Sequence, residues 1–154
     1  MSARGLVPSA LAAGAAAVTT TTATLAWLGA HRDITCYAPF NAVSHIAWGD
    51  EAARHIEPSI KYTLTGALLN AAAVMSWAVI FERLARTRRP SVASTVAAGV
   101  ATTALAYVVD YHVVPRRFTP GFELRLPKPA LFPIYASLAG GLVAGTLLAS
   151  RSRR

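Results

Sequence analysis

The sequence predicts an all-α polytopic membrane protein: a bundle of four transmembrane helices, with a short amphipathic helix and a proline-rich loop capping its outward side. Three observations carry that expectation. The chain of 154 residues is 54% apolar and only 14% charged, about half the charged share of an ordinary soluble domain. Its apolar residues gather in four charge-free stretches of transmembrane length, each with a proline at or near its entrance, where a helix loses no hydrogen bond to it. Basic residues bracket the stretches, the usual anchoring pattern of membrane spans.

The first span covers about residues 6–30. No charged side chain occurs from Gly5 to Ala30, and about 25 residues rising about 1.5 Å each cross a hydrocarbon core of about 30 Å with some tilt. Pro8 suits its first turn and Trp27 its far interface. Arg4 and the ending Leu28-Gly29-Ala30 also fit a signal peptide, but the apolar run exceeds the usual core of about 7–15 residues, so the span is expected to stay in the chain. The second span, residues 62–81, follows Pro58 and is closed by Glu82-Arg83, because a charge at the bilayer centre costs about 2.5–3.5 kcal/mol. Pro90 opens the third, residues 91–109. Pro127, Pro129 and Pro133 crowd the start of the fourth, residues 130–149, which ends in Ser150-Arg151-Ser152-Arg153-Arg154. The whole chain is thus expected to form a single transmembrane domain.

Orientation follows from the loops. The short loop 82–90 carries Arg83, Arg86, Arg88 and Arg89, and Arg4 with Arg151, Arg153 and Arg154 falls on the same side, against the single acid Glu82. The other side mixes Arg32, Arg54, Lys61, Arg116, Arg117, Arg125 and Lys128 with six acids. Density of positive charge in a short loop marks the cytoplasmic side. Both termini are then cytoplasmic in an inner membrane, and loops 31–61 and 110–129 face outward. Spacing-four small residues, Ala10 and Gly14, Ser94 and Ala98, and above all Gly141 and Gly145, predict close helix packing within the chain and a means of oligomerising. Thr19–Thr22, Thr24 and Asn70 are expected to face protein instead of lipid. The sole cysteine, Cys36, allows no intrachain disulfide and no paired-cysteine redox or zinc motif.

Any chemistry belongs to the outward loops. Pro39 can open a short helix that Gly49 ends, with a second turn over residues 50–54. Wound as a helix, Asn41, Ser44, His45 and Trp48 fall on one face while Phe40, Val43 and Ala47 line another. Such a segment lies in the interface or folds back over the bundle mouth. In the other loop Pro120-Gly121 specifies a tight turn, and Asp110 is a carboxylate at a span end, a functional candidate with His112, Arg116 or Arg117 as its partner. The candidate ligand-binding set is therefore Asn41, Ser44, His45, Trp48, Asp50, Asp110, His112, Arg116 and Arg117. A shared site requires His45 and Asp110 to approach one another. No catalytic set is assigned: Ser44, His45 and Asp50 lack a nucleophile turn, and neighbours on a helix do not face one another. His31, His45, His55 and His112 share the outward side with Asp50 and Asp110, yet none has a tight metal-ligand spacing. Arg116, Arg117, Arg125 and Lys128 with Phe118 and Phe122 could hold an anionic lipid headgroup.

The segments Ala38–Asp50 and Val109–Glu123, with the order of the spans around them, resemble those of small four-span bacterial inner-membrane proteins of unknown function. That resemblance implies a bacterial membrane location and no activity, cofactor or catalytic residue. Composition and placement together lead to an expected role as a non-enzymatic accessory or partner-binding subunit, able to form oligomers. The competing reading is an outward site for a metal, an anionic lipid headgroup or a small polar ligand, in a transport or lipid-related role. No cofactor is expected; the partners are the bilayer and a second copy or another membrane protein, and nucleic acid is excluded because the basic residues bracket apolar spans.

Overall fold

The structure, a computed structural model, describes residues 6–32, 35–86 and 91–152. Arg4, Asp33, Arg88, Arg89, Pro90, Arg153 and Arg154 lie outside the described residues. What is described is helical, without a strand: α1 (Leu6–Arg32), α2 (Ala38–Val43), α3 (His45–Trp48), α4 (Thr65–Ala85), α5 (Val92–Val108) and α6 (Leu131–Arg151), joined by short 3₁₀ and π turns. Four helical stretches are long and apolar enough to cross a membrane: Leu6–Arg32, Ile60–Ala85, Val92–Val113 and Lys128–Arg151.

Local chemistry sets where these helices start. Ser59 accepts from the Tyr62 amide while its own amide donates to Thr63 Oγ1, a reciprocal cap for the π turn Ile60–Leu64 that leads into α4. Ser91 and Ser94 cap α5 in the same reciprocal way. α5 runs on into a second π turn, Val109–Val113, which carries Asp110. Extra residues in such a turn break the helical register and re-aim side chains.

The helices form a ring. α1 packs most extensively on α6 and next on α4, and α5 closes the ring by touching both α4 and α6; α4 and α6 face each other across the middle with little contact. Small residues make the tightest seam. A Cβ on Gly145 would stand 2.5 Å from the Ala12 carbonyl oxygen and 2.7 Å from Ala13 Cα, and one on Gly141 would overlap Ala17. The Gly141/Gly145 pair therefore joins α6 to α1 within the chain, the close backbone approach that small residues permit. Around this seam lies a core of Ala13, Ala17, Val74, Ala78, Phe81, Leu138 and Leu142.

Three features differ from the sequence reading. Glu82 does not close its span: α4 continues to Ala85, and Glu82 sits 4% exposed inside the bundle, accepting a hydrogen bond from Thr146 Oγ1 of α6. A paired carboxylate at a helix end is tolerated where an unpaired one is not. The threonine run marks an inner face only in part. Four consecutive residues point all round a helix, so Thr21 is buried whereas Thr19, Thr20 and Thr22 are exposed. Thr20 Oγ1 donates across to the Ser137 carbonyl of α6, whereas Thr19 and Thr21 donate to the carbonyls of Ala15 and Ala17 on their own helix, which satisfies a hydroxyl wherever it points. Finally, α2 takes the second of its two expected placements, folded back into the bundle mouth, but keeps no exposed face. All six of its residues are buried, wedged between α1 and α4 in one mouth of the bundle.

The seam gives a clean test. Gly145→Ala and Gly141→Ala should each destabilise by about 1–3 kcal/mol through overpacking, lowering the thermal unfolding midpoint in detergent. Gly140→Ala, whose new methyl group meets open space, should leave the midpoint unchanged.

Candidate functional site

The buried cap is built from close approaches. A Cβ on Gly29 of α1 would stand 2.6 Å from the Thr35 carbonyl oxygen and 2.8 Å from Pro39 Cδ, and one on Gly66 of α4 would overlap the Phe40 carbonyl. α2 thus touches α4 backbone to backbone and sets its Pro39 ring against α1 at Gly29. Gly121 closes it from above: it takes a left-handed conformation (φ +83°) that lets the loop press onto Ala42 and His45, where any Cβ would come within 2.7 Å of the Ala42 oxygen and of His45 Nδ1. Phe40, Val43, Phe122, Leu126 and Ile134 form an apolar layer beneath the lid.

With water excluded, each buried polar group must find a partner. Asn41, fully buried, does most of this. Its Nδ2 donates to the carbonyls of His55 (2.8 Å) and Glu57 (3.0 Å), and its Oδ1 accepts from Thr63 Oγ1 at 2.6 Å. Ser44 Oγ donates to the Asn41 carbonyl at 2.7 Å. Both ring nitrogens of His45 face carbonyl oxygens, Nδ1 that of Ala42 at 2.9 Å and Nε2 that of Arg116 at 3.4 Å; a neutral ring donates from one of them. The three polar residues of the expected ligand-binding face are thus turned inward and bound to backbone.

The remaining candidates divide between two other places. Asp50, Arg116 and Arg117 line a shallow surface cleft of about 360 Å³ at the seam between cap and loop, where Arg117 Nε donates to the Ile46 carbonyl. Trp48 stands beside them, half exposed, donating to the Lys61 carbonyl with the Lys61 ammonium 5.1 Å over its ring. His112 is exposed and meets the edge of Tyr107. Asp110 faces the other way, into the bundle, and accepts a hydrogen bond from the Tyr135 hydroxyl at 2.6 Å. No hydrogen bond joins His45 to Asp110, since each is held by different partners. The histidines are dispersed, and among the described residues no three His, Cys, Asp or Glu side chains gather as a metal would require.

Beneath the cap lies a cavity of about 90 Å³, lined by Thr21 of α1, one face of α4 from Leu69 and Asn70 to Val74 and Trp77, Asp110, Ile134, Tyr135 and Leu138 of α6, and Val43, Ile46, Phe118, Pro120 and Phe122 of the cap and loop. Its walls are mostly apolar; the Thr21 and Tyr135 hydroxyls are already paired, and two further polar groups stand out. One is Asp110. The other is Asn70, 7% exposed, whose Nδ2 is buried without a hydrogen-bond partner. An orphaned amide of this kind costs about 1–3 kcal/mol unless something binds it. Beside the cavity Tyr107, Tyr111 and Tyr135 cluster with ring centroids 5.3–6.3 Å apart. Next to them, the buried Tyr111 hydroxyl faces the Glu123 carboxylate, whose Oε1 accepts from Thr119.

No protein-family model, curated protein or solved structure matches this chain. The functional argument therefore rests on the cavity. Sequence reasoning singled out Asp110 and noted Asn70, but missed Trp77 and Tyr135. The spacing Asn70, Val74, Trp77 puts these residues on one helical face, the signal that could have found that wall.

Asn41→Ala should cost about 1–3 kcal/mol by stranding two carbonyls and the Thr63 hydroxyl. It should also loosen the segment that begins at Cys36. Maleimide labelling of Cys36, partly buried at present, is expected to run several-fold faster in Asn41→Ala than in the unaltered chain.

Proposed function

We propose that this chain is a bacterial inner-membrane protein with both termini in the cytoplasm, whose outward-facing cavity holds a small ligand. It acts by binding, without chemical turnover. The observation that carries the reading is the meeting of Asn70 and Asp110 at one apolar cavity: an amide nitrogen without a partner and a carboxylate, both on membrane-spanning helices. A polar side chain inside a span is expensive and is kept where it meets a partner or a ligand. Pockets that are apolar, with a few convergent polar groups, are the general form of small-molecule sites.

A second reading, the accessory or partner-binding subunit, draws on one separate feature. Ala136, Gly140 and Ala144 are all exposed on α6 at spacing four, and the space beside Gly140 is open. A second copy or another span could pack there as α1 packs on the neighbouring Gly141/Gly145 face of the same helix.

Native mass spectrometry of the protein released from lipid nanodiscs tests both. The ligand reading expects a bound small molecule that is lost from Asp110→Asn and from Asn70→Ala. The accessory reading expects a dimer that Gly140→Leu dissociates. A bare monomer from the unaltered chain contradicts both.

A further inference from the structure

We infer that the ligand of this cavity is an organic ammonium ion, a cationic head with an apolar body; the inference rests on the ligand-binding reading above. The argument starts from charge. Asp110 lines the cavity, and Tyr135 donates to one of its oxygens. No Lys, Arg or His lines the cavity, and among the described residues no basic side chain pairs with Asp110. This holds although the chain carries a net charge of +8. The carboxylate is left to be neutralised by something from outside.

The other walls narrow the class. Trp77, Phe118, Phe122 and Tyr135 all border the same space. Aromatic faces attract cations through their quadrupoles, most strongly where water is excluded, and rings with a carboxylate are the recurring means of holding alkylated ammonium groups. A hard metal ion would want several oxygen ligands, and these apolar walls offer few. Size sets the scale. A cavity of about 150 Å³ accepts benzene, so about 90 Å³ accepts roughly four non-hydrogen atoms by the same ratio, the size of a trimethylammonium head. The amide of Asn70 then offers a hydrogen bond to a hydroxyl or ether oxygen near that head.

An alkylammonium group reaches the protein either as a free small molecule or as the headgroup of a choline lipid, and the test separates the two. Protein in phosphatidylglycerol nanodiscs, with Trp27 and Trp48 replaced by Phe so that Trp77 alone reports, is titrated with choline and with neohexyl alcohol, the uncharged isostere in which carbon replaces nitrogen. The expected result is a Trp77 signal that saturates with choline at a concentration at least tenfold below that for the alcohol. Asp110→Asn, isosteric and checked for helicity by circular dichroism, should abolish that preference. Equal binding of both compounds overturns the cation assignment and leaves the cavity as a binding site. Binding of neither overturns the ligand reading together with the cation. In nanodiscs of mixed phosphatidylcholine and phosphatidylglycerol, selective co-purification of the choline lipid with the unaltered chain but not with Asp110→Asn assigns the head to a lipid; displacement of choline by no lipid assigns it to a free molecule. Both results support the cation class.

Discussion

Burying a short helix in the mouth of a bundle removes its polar groups from water, and the remainder of the cap end follows from how that cost is met. α2 can lie against α1 and α4 only because Gly29 and Gly66 carry no side chain where the Pro39 ring and the Phe40 carbonyl come close. The bends that bring the chain in and out would leave carbonyls of residues 55 and 57 unpaired, and Asn41 reaches both. Thr63 on the approach to α4 completes the arrangement by donating to Asn41 while accepting from the Ser59 amide. One asparagine thus ties α2, the extended segment after it and the start of the second long helix. Removing it would leave buried groups unpaired in three places at once, a larger loss than one hydrogen bond contributes.

The cavity is a consequence of the same arrangement. α4 and α6 stand on opposite sides of the ring and barely touch. At the end away from the cap, Glu82 and Thr146 bridge them. At the cap end no such bridge forms; Val43 and Ile46 reach down from above, Asp110 and Tyr135 close one side, and a space remains. The π turn at Val109–Val113 matters here because it places a carboxylate toward the interior while its neighbour His112 points out. Polar groups at two depths of one helical ring, with an aromatic wall beside one of them, give the molecule an asymmetry along its axis.

Much of this architecture was legible in the sequence, and the failures have physical causes. The four long helices could be read because charge is excluded from such stretches, and their entrances because proline and serine are suited to first turns. Pro39, Gly49 and the Pro120-Gly121 turn announced the cap. Glu82 misled because a charge was taken as the end of a span, whereas Thr146, distant in sequence, supplies its partner. Asn41, Ser44 and His45 misled in the opposite direction: their spacing describes a polar face, but spacing cannot say whether water or backbone carbonyls will meet it. The threonine run shows the same ambiguity, since a hydroxyl that bonds its own helix is compatible with either side. Asp110 stood out because a carboxylate at a span end is rare. Tyr135 and Trp77 did not, because aromatic residues in apolar helices are ordinary until a fold brings them to one space.

The central claim is that residues 38–45 are folded into the bundle, so that the cavity has a roof. Hydrogen–deuterium exchange of the protein in nanodiscs tests it directly. The account predicts that amides of residues 40–45 exchange as slowly as those in the middle of α4, and far more slowly than the exposed turn Arg116–Phe118. Exchange in residues 40–45 as fast as in that turn would mean that the segment lies at the surface, and the cavity and the ligand proposed for it would lose their support.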